Sequence, residues 1–173
     1  MLHDYLKASE KIALVCGGQR LSYREIDERS NALANSLAAA GVERGDRVIV
    51  FADNTVETVI SFWAVLKANA VVSIVNPLTK SDKLAYLLND SRSSCLITTQ
   101  ALRGVWEQAL ARNPNVGTCL VSGLRPDANA KLESYEKAVG VHAGNARPTP
   151  LIDQVRKSSG WVAARATMLA NGR

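Results

Sequence analysis

Leu21 to Pro77 reads LSYREIDERSNALANSLAAAGVERGDRVIVFADNTVETVISFWAVLKANAVVSIVNP, and the changes of hydrophobic period inside it decide the fold. Ser22 and Glu25 have the Ser-x-x-Glu spacing of a capping box, which opens a helix by satisfying orphan backbone donors of the first turn. Ile26, Ser30, Leu33 and Leu37 share one helical face, flanked by Ala34 and Ala38, and Gly41 is placed to end it. Val48 to Phe51 is then apolar at every position, as in a strand buried on both faces of a parallel sheet. A second helix follows, with Asn54 and Glu57 expected at its cap and Val56, Val59, Ile60, Trp63 and Leu66 on its apolar side. Val71 to Val75 is short and rich in β-branched residues, hence a strand, and Asn76-Pro77 stops it.

Upstream, Met1 to Ser9 reads as a helix, and Ile12 to Cys16 with Arg20 to Tyr23 as a hairpin turned by Gly17-Gly18. Downstream, helices are predicted from about Ser81 to Asn89 and Leu102 to Ala111, with strands from Cys95 to Thr98 and Thr118 to Ser122. Such alternation with short connections predicts an α/β fold, a parallel sheet with helices on both faces, because each right-handed crossover needs a helix to return the chain. Residues 1–123 form this unit; residues 124–150 read as a connection with a short helix over Leu132 to Val139 and a loop from Gly140 to Pro150; residues 151–173 read as a basic tail.

The 173 residues allow one well-buried domain. A composition 47% hydrophobic and 21% charged excludes a disordered or fibrous chain, and 5% aromatic residues predict an aliphatic core. The net charge of +5 is unevenly placed: Arg147, Arg156, Lys157, Arg165 and Arg173 face only Asp153 after residue 140. The body is electrostatically ordinary, and the tail is too sparse in charge and aromatics for nucleic acid, so no nucleic-acid partner is expected. The longest apolar stretch, Phe62 to Val75, is interrupted by Lys67, Asn69 and Ser73, which argues against a membrane span. Without a secretory pattern at the N-terminus, a cytoplasmic location is expected. Cys16, Cys95 and Cys119 form no CxxC pair and are expected as buried strand thiols.

Four segments, in order, resemble the AMP-forming acyl-CoA ligase and adenylation-domain superfamily. They are LSYREI at Leu21 to Ile26, GVERGDRV at Gly41 to Val48, LKANAVVSIVNP at Leu66 to Pro77, and KSDKLAYLLNDSRSSCLIT at Lys80 to Thr98. Asn69 stands where glycine is usual in that family. The resemblance implies that a carboxylic acid attacks the α-phosphate of ATP, giving an acyl-adenylate and pyrophosphate, after which a thiol accepts the acyl group. It also implies ATP, Mg²⁺ and coenzyme A as the family's cofactors. The transition state spreads negative charge over phosphate oxygens and needs preorganised backbone donors, hydroxyls, a basic side chain and a metal ion.

Those elements are not expected in this chain. LIDQ at Leu151 to Gln154 looks like the lead-in to the family's Ser/Thr/Gly-rich loop, but VRKSSGWVAARATMLANGR does not continue the match. Ser158-Ser159-Gly160 echoes the loop faintly, and Trp161-Val162-Ala163 stands where Pro-Lys-Gly should follow. The expectation is a ligase cut short by truncation, a frameshift or a gene-boundary error, inactive alone, with no catalytic, cofactor-binding or metal-binding residue of its own. The alternative is a non-catalytic α/β interaction module or a degenerate gene product. A half-sheet without its usual neighbours should expose an edge, predicting self-association or pairing with a complementary ligase fragment.

Other chemistry finds little support. Phe51-Ala52-Asp53-Asn54 offers no glycine for a dinucleotide turn, and His3 and His142 are isolated from other metal-ligating residues. Asp53, Asn54 and Asn76 fall at carboxyl ends of strands, where open α/β sheets bind ligands, though capping and strand termination account for them. Trp63 and Trp106 fall on apolar helix faces and are expected in the core.

Overall fold

The computed structural model describes residues 9–125, 129 and 131–141. β1 (Ile12–Cys16) and β2 (Gln19–Ser22) form an antiparallel hairpin. Its two-residue turn places Gly17 and Gly18 at φ of 56° and 78°, the left-handed pair that matches strand twist and that a side chain would oppose. Ser22 then caps α1 (Tyr23–Ala39): its hydroxyl accepts from Glu25 N at 3.2 Å while Ser22 N donates to Glu25 Oε2 at 2.7 Å. The capping box read from the sequence is formed in both directions, and Gly41 closes the exit at φ 87°.

The five remaining strands make one parallel sheet in the order β4-β3-β5-β6-β7. They are β3 (Arg47–Phe51), β4 (Val71–Val75), β5 (Cys95–Thr99), β6 (Thr118–Ser122) and β7 (Leu132–Ser134). Alternation along β3 divides the core. Val48 and Val50 join a cluster with Leu33 and Leu37 of α1 and Ile60 and Val65 of α2 (Val56–Lys67). Ile49 and Phe51 join a second cluster with Leu84 and Leu88 of α3 (Ser81–Asp90) and Trp106 of α4 (Arg103–Ala111). Residues Val48 to Phe51 are at most 1% exposed, as an unbroken apolar run requires when both sheet faces are covered.

Three connections are tied by specific bonds. Arg47 Nε donates to Ser91 O at 2.6 Å and Nη2 to Arg92 O at 3.1 Å, placing a cation on the carbonyl end of α3. Asn69 adopts φ 58° between α2 and β4, and its carbonyl accepts from Gly45 N at 2.9 Å. Thr98 Oγ1 donates to Phe51 O at 2.7 Å, stitching β5 to β3 near their carboxyl ends.

Three expectations are corrected. Leu132 to Ser134 is a strand paired with Cys119 to Val121, and the helix α5 begins only at Tyr135 and runs through Gly140 to Val141. Three residues are too few for periodicity to separate strand from helix; what settles the matter is Cys119 N donating to Lys131 O at 2.8 Å. Asn54 does not cap α2: Thr55 occupies that position without a side-chain cap, and Thr58 Oγ1 instead donates to Asp53 O at 2.6 Å. Leu66, expected on the apolar side of α2, is 39% exposed, while Ser61, Ala64 and Val65 point inward. Among the described residues no helix is long and apolar enough to cross a membrane. The expected helix from Met1 and the tail after Val141 lie outside the described residues.

Candidate functional site

The strand order sets the most plausible ligand edge. From β3 the chain moves outward to β4, then crosses back over β3 to β5 and continues away, so the topological switch lies between the carboxyl ends of β3 and β5. Asp53 and Asn54 are exposed there. Asn54 O accepts from Cys16 Sγ at 3.4 Å, which anchors the hairpin to this edge. Asn76, after β4, is spent on a turn: its Oδ1 accepts from Leu78 N at 2.8 Å and its carbonyl from Thr79 N at 2.9 Å. Thr55 Oγ1 and Gln100 Oε1 are shielded from solvent with no hydrogen-bond partner. Both groups are neutral, and neither supplies the positive charge that a triphosphate requires.

Perturbed groups elsewhere read as structural. Burial raises the Cys95 thiol to about 12. Burial, with the neighbouring Cys95, also raises Cys119. Thiols held neutral in this way are poor nucleophiles. Cys16 lies in β1 but is only half-buried, unlike the other two. Burial raises Tyr135, whose hydroxyl donates to Glu57 O at 3.2 Å. At Glu136 burial acts upward, yet the carboxyl sits below its ordinary range because Gly123 N, Ser134 Oγ and Ser122 Oγ donate to it.

One polar constellation escaped the sequence reading. Lys67, noted only as an interruption in an apolar run, is 5% exposed and reaches from α2 to α1. Its Nζ lies 2.6 Å from Asp27 Oδ1, 2.9 Å from Asp27 O and 2.7 Å from Ser30 Oγ. Asn31 Nδ2 donates to the other Asp27 oxygen at 3.1 Å. These groups line a cavity of about 230 Å³ with Tyr23 and Trp63. All three donors of the ammonium are engaged, so the constellation holds two helices together. Trp106, by contrast, is the expected core residue, 1% exposed with its indole donating to Thr99 O at 2.9 Å.

Among the described residues no three His, Cys, Asp or Glu side chains gather to hold a metal ion. His3, His142, the LIDQ segment and Ser158-Ser159-Gly160 lie outside them. Of the described residues that the sequence singled out at this edge, Asp53 is acidic and Asn54 and Asn76 are neutral amides.

Residues 4–157 match the family model described as AMP-binding enzyme, which is most of the chain. The chain belongs to the AMP-binding enzyme family. It is 41% identical over 108 residues to surfactin synthase subunit 3 of Bacillus subtilis (strain 168), covering 62% of this chain and 8% of that protein. It is 33% identical over 112 residues to a medium/long-chain-fatty-acid–CoA/3-oxocholest-4-en-26-oate–CoA ligase of Mycobacterium marinum, covering 65% of this chain and 20% of that one. The crystal structure of the anthranilate CoA ligase AuaEII in complex with anthranoyl-AMP superimposes with a TM-score of 0.73 at 25% identity, over 79% of this chain and 27% of the ligase. A benzoate CoA ligase from Burkholderia xenovorans LB400 shares the fold at a TM-score of 0.71 and 23% identity, over 86% of this chain and 29% of that one. This AMP-binding family member thus spans under a third of the length of each of these relatives, and its parallel sheet corresponds to part of an adenylate-forming fold.

Proposed function

We propose that this chain provides the N-terminal parallel-sheet layer of an acid-activating, adenylate-forming ligase, and that the 173 residues alone do not catalyse adenylation. What supports this reading is the switch between β3 and β5, where Asp53, Asn54, Thr55 and Gln100 offer acidic, amide and hydroxyl groups without a glycine-rich turn; Lys80 and Arg103 open the helices that follow β4 and β5, and Arg103 is already paired with Glu107. The full reaction joins a carboxylate oxygen to the α-phosphorus of ATP with loss of pyrophosphate, after which a thiol displaces AMP. Mg²⁺ in that reaction offsets the phosphate charge, and the described residues do not form a site that fits it. The proposed substrate class is a carboxylic acid, aliphatic or aromatic, and the proposed location is the cytoplasm, where ATP and thiol acceptors are both supplied.

ATP–pyrophosphate exchange tests the proposal. The purified chain, offered fatty, aryl and amino acids with ATP and Mg²⁺, should return no label from pyrophosphate into ATP. Acid-dependent exchange would show that the chain carries its own phosphate machinery.

A further inference from the structure

The two edges of the sheet are built differently. β7 is three residues long and carries Glu133, the short, charged edge by which proteins discourage strand addition. β4 is five residues, Val71–Val75, with no charge, proline or bulge, and it pairs with β3 without a register shift. Among the described residues no strand lies against the outer side of its alternate backbone N–H and C=O groups. Val71 and Ile74 are 50% and 54% exposed, and Leu78 just beyond is 87% exposed.

The register decides what kind of occupant fits. Val71 pairs with Arg47 and Ile74 with Val50, residues of opposite parity, so the two exposed side chains stand on opposite faces of the sheet. A helix packed on one face would cover only one of them. A strand added to the edge, bringing its own side chains to both faces, covers both.

We propose that this edge pairs with a second copy of the same chain, β4 against β4 antiparallel, about a twofold axis through the sheet at Ser73. That register uses all five residues, setting Val71 opposite Val75, Val72 opposite Ile74 and Ser73 opposite its own copy. Any shift shortens the pairing. No ionisable side chain lies between Ala68 and Thr79, so the symmetric match sets no like charges against each other despite the chain's net charge of +5. The interface is isologous and closed, and it joins two five-stranded sheets into one. It does not depend on the adenylation reading.

Sedimentation equilibrium of the 173-residue chain over a concentration series should give a dimer, and the double variant Val71→Lys with Ile74→Lys should give a monomer with unchanged far-ultraviolet circular dichroism. A second arm does not rely on those variants folding. In a Cys16→Ser background, Ser73→Cys should oxidise to a covalent dimer, since directly opposed Cβ atoms lie about 4.5–5.5 Å apart. Lys83→Cys, exposed on α3, should not. A monomer at every concentration overturns the proposal, as does a dimer indifferent to the lysines or cross-linking equal at both positions. Formation of a one-to-one complex with a different polypeptide through this edge, by a chain otherwise monomeric, overturns it too.

Discussion

Lys67 on α2 and Asp27 on α1 form an ion pair at 2.6 Å whose side chains are 6% and 9% exposed. Taking both charges out of water is costly, and the bonds to Ser30, Asn31 and the Asp27 carbonyl offset that cost. Removing one partner leaves the other buried without a counter-charge. Lys67→Met should lower stability by about 3–5 kcal/mol in urea denaturation, whereas Lys67→Met combined with Asp27→Leu should recover most of the loss. A double variant as weak as the single one would show that the pair contributes by more than mutual neutralisation.

Glu136 gives the acid side of the stability curve a specific shape. Burial acts upward, yet its folded carboxyl lies below the unfolded range of about 4.3 because the backbone N–H groups of Gly123 and Glu136 and the hydroxyls of Ser134 and Ser122 converge on it. A group depressed on folding stabilises the folded state at pH above its unfolded value, and that contribution is lost as pH falls through the folded value. Stability measured from pH 7 to pH 3 should therefore decline at the acid end. Glu136→Gln should be less stable at pH 7 and show a shallower decline. Glu25, lowered mainly by the Ser22 backbone N–H, contributes with the same sign from the cap of α1.

What could be read in the sequence was whatever local chemistry enforces. The capping box at Ser22 and Glu25 and the unbroken run Val48 to Phe51 each has one good physical solution, and the structure adopts it. The Asn54 cap failed because Thr55 and Thr58 compete for the same short turn, and backbone context chose between them. β7 was missed because its strand character comes from pairing with β6, not from its own three residues. Lys67 was invisible as a buried group because its partner stands 40 positions earlier, on another helix. Asp53, Asn54 and Asn76 stand at the carboxyl ends of β3 and β4 as their positions in the sequence required, and only the structure shows the Asp53 carbonyl and the Asn76 side chain spent on local turns.

Asn69 is one of two described residues other than glycine with a positive φ. At φ 58° a residue must tolerate the left-handed region, which asparagine does better than any other side chain. Asn69→Gly should change stability by well under about 1 kcal/mol, and Asn69→Val should cost about 1–3 kcal/mol, read as a lower thermal midpoint. Equal effects for the two would mean that the side chain, not the backbone angle, matters there.

Thiol titration offers an inexpensive check of the core. Cys16, half-buried on the hairpin, should react with a disulfide reagent in the native chain. Cys95 and Cys119, buried in β5 and β6, should react only after denaturant is added. Prompt reaction of all three would mean that the sheet opens readily.

Ser36 Oγ on α1 donates to Ala138 O on α5, a bond that spans 102 positions of sequence. α5 also contributes Tyr135 and Ala138 to the cluster that holds Leu33 and Leu37. On a ribosome adding roughly 5–20 residues per second, α1 emerges about 5–20 seconds before the helix that closes over it. For that interval the amphipathic helix is a nascent chain with one bare side, the state in which a chaperone would first meet this protein.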